Sequence, residues 1–117
     1  MNLNLTISAN HDVTVVHCKG RIVYRNEAAA LSHRIAQLFP IARKLVLDLS
    51  RVEVIDSAGL GELVVLYMWA EAKGTSIKLA APGRRVRQLL ELTNLASVFS
   101  LHPTLEEAVS SWSDQVA

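Results

Sequence analysis

The segment Leu45-Val46-Leu47-Asp48-Leu49 constrains the fold more than any other stretch of this chain. It is apolar at nearly every position, so a strand built from it belongs in the middle of a sheet, with cover on both faces. On either side the hydrophobic period becomes helical. Leu31, Ile35 and Leu38 share one face, as do Leu60, Leu63, Val64, Tyr67 and Ala70, and then Val86, Leu89 and Leu90. Strands that alternate with helices are joined by crossovers, which make a sheet parallel or mixed with helices packed against it.

The ends of the chain complete this pattern. Leu3, Leu5 and Ile7 alternate with Asn2, Asn4, Thr6 and Ser8, and the alternation resumes at Val13 and Val15 after Ala9-Asn10-His11-Asp12, which reads as an antiparallel hairpin around a polar four-residue turn. Val52 to Ile55 carries the chain on to Asp56-Ser57, and Ile77-Lys78-Leu79-Ala80 and Val98-Phe99-Ser100-Leu101 are two further short strands. Pro40 follows the first helix, Gly74 the second, and Pro82-Gly83 precedes the third. A last helix starts at Thr104, which has capping-box spacing to Glu107, with Leu105, Ala108, Val109 and Trp112 as its buried stripe. The expected order is ββαβαβαβα. With 117 residues, half of them hydrophobic, the chain makes one core, so residues 1–117 read as a single α/β domain. That domain is a mixed sheet of four to five strands with about four helices packed against it.

Charge and cysteine usage narrow the function. Twelve basic against eleven acidic side chains supply no general attraction for nucleic acid or an acidic membrane, so no direct nucleic-acid partner is expected. The longest apolar run, Leu63 to Ala70, is far short of the ~20 residues of a membrane span. Cys18 stands alone and reads as a small core residue, and the segment from Met1 to Leu5 lacks the character of a signal peptide; a cytoplasmic location is the expectation. His11, His17, His33 and His102 have no metal-ligand spacing and read as scattered surface residues, so neither metal nor cofactor is expected.

The informative segment is Asp56-Ser57-Ala58-Gly59-Leu60-Gly61, where a buried strand ends and an amphipathic helix begins. Four backbone N–H groups at a helix start lack intrahelical partners and carry partial positive charge, and Asp56 or Ser57 can cap them. Gly59 and Gly61 each cost about 1 kcal/mol of helix propensity relative to Ala, so their presence in the first turn needs a reason. Removing side chains there lets another backbone or a partner come close. An ordinary N-cap followed by packing glycines accounts for these residues; so does a docking surface on which Ser57 accepts a phosphate. Three enzyme motifs fail here. A dinucleotide fingerprint needs a small residue at Val64, a nucleophile elbow needs Gly at Ile55, and Lys73-Gly74-Thr75 reverses the order of a Walker loop.

Taken in order, these landmarks resemble the STAS domain family of bacterial anti-sigma factor antagonists. They are Gly20 after the hairpin, Leu45 to Ser50, Val54-Ile55-Asp56-Ser57-Ala58-Gly59-Leu60-Gly61, Gly74, and Leu105-Glu106-Glu107-Ala108. The resemblance implies a sheet of four or five strands with helices on one side. It also implies a chain that is not an enzyme but binds an anti-sigma factor, a serine kinase, and releases a sigma factor. Phosphorylation of Ser57 by that kinase would inactivate it, and a separate serine phosphatase would restore it. The partner surface carried over from the family is Asp56, Ser57, Ala58, Gly59, Leu60 and Gly61, with Glu62 as a further contact. Many antagonists carry an acidic residue three positions after the hairpin glycine, where this chain has Val23. That departure favours a second reading, a non-phosphorylated STAS subunit that docks on the ATPase of a lipid-transport ABC complex.

Other residues have plainer readings. Arg84, Arg85 and Arg87 form a solvated face at the start of the third helix, Trp112 packs in the core, Trp69 lies beside its helix's buried stripe, and Glu71 is a solvated charge.

Overall fold

The computed structural model describes residues 3–113; the expectations for Met1, Asn2 and residues 114–117 lie outside them. Strands β1 (Leu3–Asn10) and β2 (Val13–Ile22) form the expected antiparallel hairpin, with Leu5 opposite Cys18 and Ser8 opposite Val15. The turn is tighter than the polar run suggests. Only His11 and Asp12 separate the strands; His11 adopts a left-handed φ of 58°, and the Asp12 carboxylate accepts from the Lys44 ammonium at 2.7 Å.

Then follow α1 (Tyr24–Ala36), β3 (Lys44–Ile55), α2 (Ser57–Ala72), β4 (Ser76–Ala80), α3 (Arg84–Leu92), β5 (Leu101–His102) and α4 (Leu105–Ser110), in the expected order. The five strands lie in the sheet in chain order. Only β1 and β2 pair antiparallel; β2 to β5 are parallel. Leu45 to Leu49 and Val52 to Ile55 belong to one long strand, β3, whose Leu45, Val46, Leu47 and Leu49 are buried. Strand β2 runs alongside it through Gly20, which takes φ 118° beside a register shift before Arg21. A β-branched or bulky residue would be strained there.

The last strand is shorter than Val98 to Leu101 and lies later. The chain turns through residues 95–99, where the Val98 and Phe99 N–H groups both donate to Leu95 O, and strand pairing begins only at Leu101. Phe99 is better used elsewhere. It is buried edge-on against Tyr67, with ring centroids 5.4 Å apart.

Helices cover both faces of the sheet, as the apolar run Leu45 to Leu49 calls for, and not the one side that the resemblance implies. On the first face Cys18, Leu45, Leu47, Leu49 and Leu79 pack against Leu31 and Ile35 of α1, Leu63 and Leu66 of α2, and Val86 and Leu90 of α3. The opposite face presents Val13, Val15, Val46 and Ala80, and α4 and the chain just after it cover these with Ala108 and Trp112. The physical reason lies in the strand itself: a β3 that is apolar at consecutive positions must bury Val46 as well as Leu45 and Leu47. Thr104 caps α4 by accepting the Glu107 N–H at 3.0 Å, and the Trp112 indole donates to Ser76 Oγ at 3.0 Å. Lys78, buried on this face, places its ammonium 4.5 Å from the centre of the Trp112 ring, a cation–π contact.

Candidate functional site

The start of α2 is organised around Asp56. Its extended backbone (φ −98°) ends β3, and its carboxylate accepts the Gly59 N–H at 2.9 Å. Its own N–H donates to the Ile22 carbonyl at 3.3 Å, and its carbonyl accepts the Leu60 N–H at 2.9 Å. Of the two candidate caps, Asp56 therefore performs the role, satisfying a donor the helix cannot. Ser57 is left as the first helical residue, exposed, with no acidic side chain in the helix's first turn.

The two glycines have different jobs. A Cβ at residue 59 would stand 2.1 Å from the Ile22 carbonyl oxygen, whereas one at residue 61 would meet nothing within 4 Å. Gly59 is thus required by the close passage of α2 over the end of β2. Gly61 faces outward. The expected contact set accordingly divides: Ser57, Ala58 and Gly61 are exposed, Asp56 and Glu62 are half-buried, and Gly59 and Leu60 are turned into the core, where they seat the helix. Val23, the residue after Ile22, is buried at the N-terminus of α1, so no carboxylate stands at that position of the strand end. Further along α2, Met68 and Trp69 are 63% and 52% exposed. The start of α3 leaves Arg84, Arg85 and Arg87 exposed.

A second constellation was not legible in the sequence. His17 is not an isolated surface residue: its Nδ1 lies 2.8 Å from Asp48 Oδ2, and its Nε2 lies 3.0 Å from Ser8 Oγ. The other Asp48 oxygen accepts the Ser50 N–H at 3.0 Å. Burial pushes the Asp48 carboxyl up, but the Ser50 N–H and the His17 ring outweigh it and hold it below the usual carboxylate range. Burial beside Asp48 pushes the Cys18 thiol up to about 12, which keeps it inert as a core residue. The signal available in the sequence was the alternation that puts Ser8, His17 and Asp48 on one face of adjacent strands; what it lacked was the register.

A five-stranded mixed sheet whose central strand delivers an Asp-Ser-x-Gly-Leu turn to a helix start defines a class, and the STAS domain profile matches residues 4–108. This chain belongs to the STAS domain family. Among curated relatives, the TM1081 homologue of Thermotoga neapolitana, classed by name with the anti-sigma factor antagonists, is 36% identical over 66 residues. That alignment spans 56% of this chain and 58% of the relative's length. The anti-sigma-B factor antagonist of Bacillus subtilis strain 168 is 28% identical over 110 residues, 93% of this chain and 99% of that protein. The crystal structure of an anti-sigma factor antagonist from Mycobacterium paratuberculosis superposes with a TM-score of 0.82 at 29% identity, covering 93% of this chain and 92% of the other. Among the described residues, no helix is long and apolar enough to cross a membrane.

Proposed function

We propose that this chain is an anti-sigma factor antagonist: it binds an anti-sigma factor serine kinase through the start of α2 and is switched off when that kinase phosphorylates Ser57. The observation that carries the reading is the exposed Ser57 hydroxyl on a helix start whose cap is supplied by a different residue, Asp56. Modifying Ser57 therefore removes no bond that holds the helix. A phosphoryl group adds about −1.5 to −2 charges, which the helix N-terminus stabilises and the neighbouring Asp56 carboxylate opposes. The fold tolerates such a change. A desolvated partner surface formed by Ser57, Ala58, Gly61 and Glu62 does not, because an unpaired charge there is costly to bury.

The test uses the purified chain, its cognate anti-sigma factor and ATP. Intact mass should rise by one phosphoryl group, mapped to Ser57; Ser57→Ala should bind and resist modification, and Ser57→Asp should bind weakly. Phosphate on another residue sinks the assignment. A specific observation supports a second reading. Val23 is buried and apolar where many antagonists carry an acid, which suits a STAS subunit that docks on an ABC-transporter ATPase through the same surface without phosphorylation. Under that reading, affinity capture retrieves the ATPase, and Ser57→Ala and the unaltered chain behave alike.

A further inference from the structure

On the sheet face that α4 covers at Val13, Val15 and Val46, the continuing positions are polar: Ser8 on β1, His17 on β2 and Asp48 on β3. Their hydrogen bonds run in one direction. Asp48, held below the usual carboxylate range, is an acceptor only, so the hydrogen between it and His17 belongs to Nδ1. In the neutral ring Nε2 is then a lone pair, and across 3.0 Å the Ser8 hydroxyl donates to it. Nucleophile, base and orienting carboxylate are thus within hydrogen-bond reach in the sequence that activates a serine. A cleft of about 760 Å³ opens beside His17 and Asp48. Lys19 and Arg51, register partners on β2 and β3, line it and bring two positive charges to its wall.

We infer that Ser8 is a reactive nucleophile that accepts an acyl group from activated carboxylic esters, with His17 as its general base and Asp48 as the residue that positions His17. Ser8 Oγ forms a bond to the carbonyl carbon while its proton passes to His17 Nε2. The bond from that carbon to the leaving oxygen breaks, the alcohol or phenolate departs, and His17 returns the proton to it or to water. This activity uses none of the α2 surface and stands apart from the reading of Ser57.

The probe is p-nitrophenyl acetate in mildly alkaline solution, followed by nitrophenolate release and by peptide mapping of the acetyl group. The unaltered chain should release one equivalent in a burst and carry the acetyl on Ser8. Ser8→Ala and His17→Ala should slow that phase by about 100-fold or more, the usual contribution of a positioned base. Asp48→Asn keeps an acceptor for the Ser50 N–H; it should move the His17 ring hydrogen toward Nε2, visible in the ring ¹⁵N shifts, and slow acetylation together with that move. Acetyl found only on lysines or the amino terminus, or equal rates in the chain and its Ser8→Ala variant, would overturn the proposal. So would an Asp48→Asn variant that reacts at the full rate.

Discussion

Adding one methyl group to either glycine at the start of α2 should have opposite consequences. In Gly59→Ala the new Cβ would lie 2.1 Å from the Ile22 carbonyl oxygen and 2.9 Å from Ile22 Cγ2, roughly 1 Å or more inside ordinary contact. Neither neighbour yields easily, because Ile22 is fully buried and its carbonyl also accepts the Asp56 N–H. Forcing the helix outward costs about 1–3 kcal/mol of strain and about 1 kcal/mol for the stretched hydrogen bond. Alanine's better helix propensity returns at most about 1 kcal/mol. The net loss is about 2 kcal/mol, which for a chain of this size lowers Tm by about 8 °C. Gly61→Ala meets nothing and should hold or raise Tm by about 2 °C. Thermal melts followed by circular dichroism on the two purified variants settle the matter. A Gly59→Ala protein that melts with its parent, or a Gly61→Ala protein that loses as much, refutes the close-approach argument.

Other outcomes follow from the same geometry. Asp56→Ala removes the acceptor of the Gly59 N–H and should cost about 1 kcal/mol in a denaturant titration, with Ser57 unable to replace it. Trp112→Ala uncovers Val13, Val15 and Val46 and should cost about 3 kcal/mol by the same measurement. For Asp48 the folded-state pKa is depressed, so its contribution is present above the unfolded value of about 3.9 and is lost as pH falls through the lower folded value. Melting temperature should therefore drop more steeply on acidification below about pH 4 in the unaltered chain than in Asp48→Asn.

The order of elements was readable because apolar residues recur at helical spacing between the strands and because Leu45 to Leu49 is apolar except at Asp48. Where sequence reasoning fell short, the deciding fact was a distance between segments. Nothing local separates Gly59 from Gly61 as helix formers; only the passage over Ile22 does. The cover of Val46 on the far face, by contrast, agrees with the two-sided cover that Leu45 to Leu49 calls for, and it was the resemblance that implied helices on one side only. Val98 and Phe99 have strand-forming side chains, yet Phe99 packs against Tyr67 from a turn, so tertiary packing overrode local preference. At the candidate site, motif spacing located the helix start, but which of its residues face solvent depended on how α2 sits on the sheet.

The strand order β1-β2-β3-β4-β5 also bears on how the chain assembles. Each strand pairs with the one made just before it, so no strand has to be inserted between two that are already joined. The hairpin pairs residues that are neighbours in the chain, and every later pairing closes a loop of one helix and its turns, as from Val13 to Lys44 and from Lys44 to Ser76. Closing such loops in sequence costs little more for the last than for the first, since the entropy grows only with the logarithm of loop length. A sheet built this way can grow from the amino end as the polypeptide emerges during synthesis, with each crossover helix ready to cover the strand that has just docked.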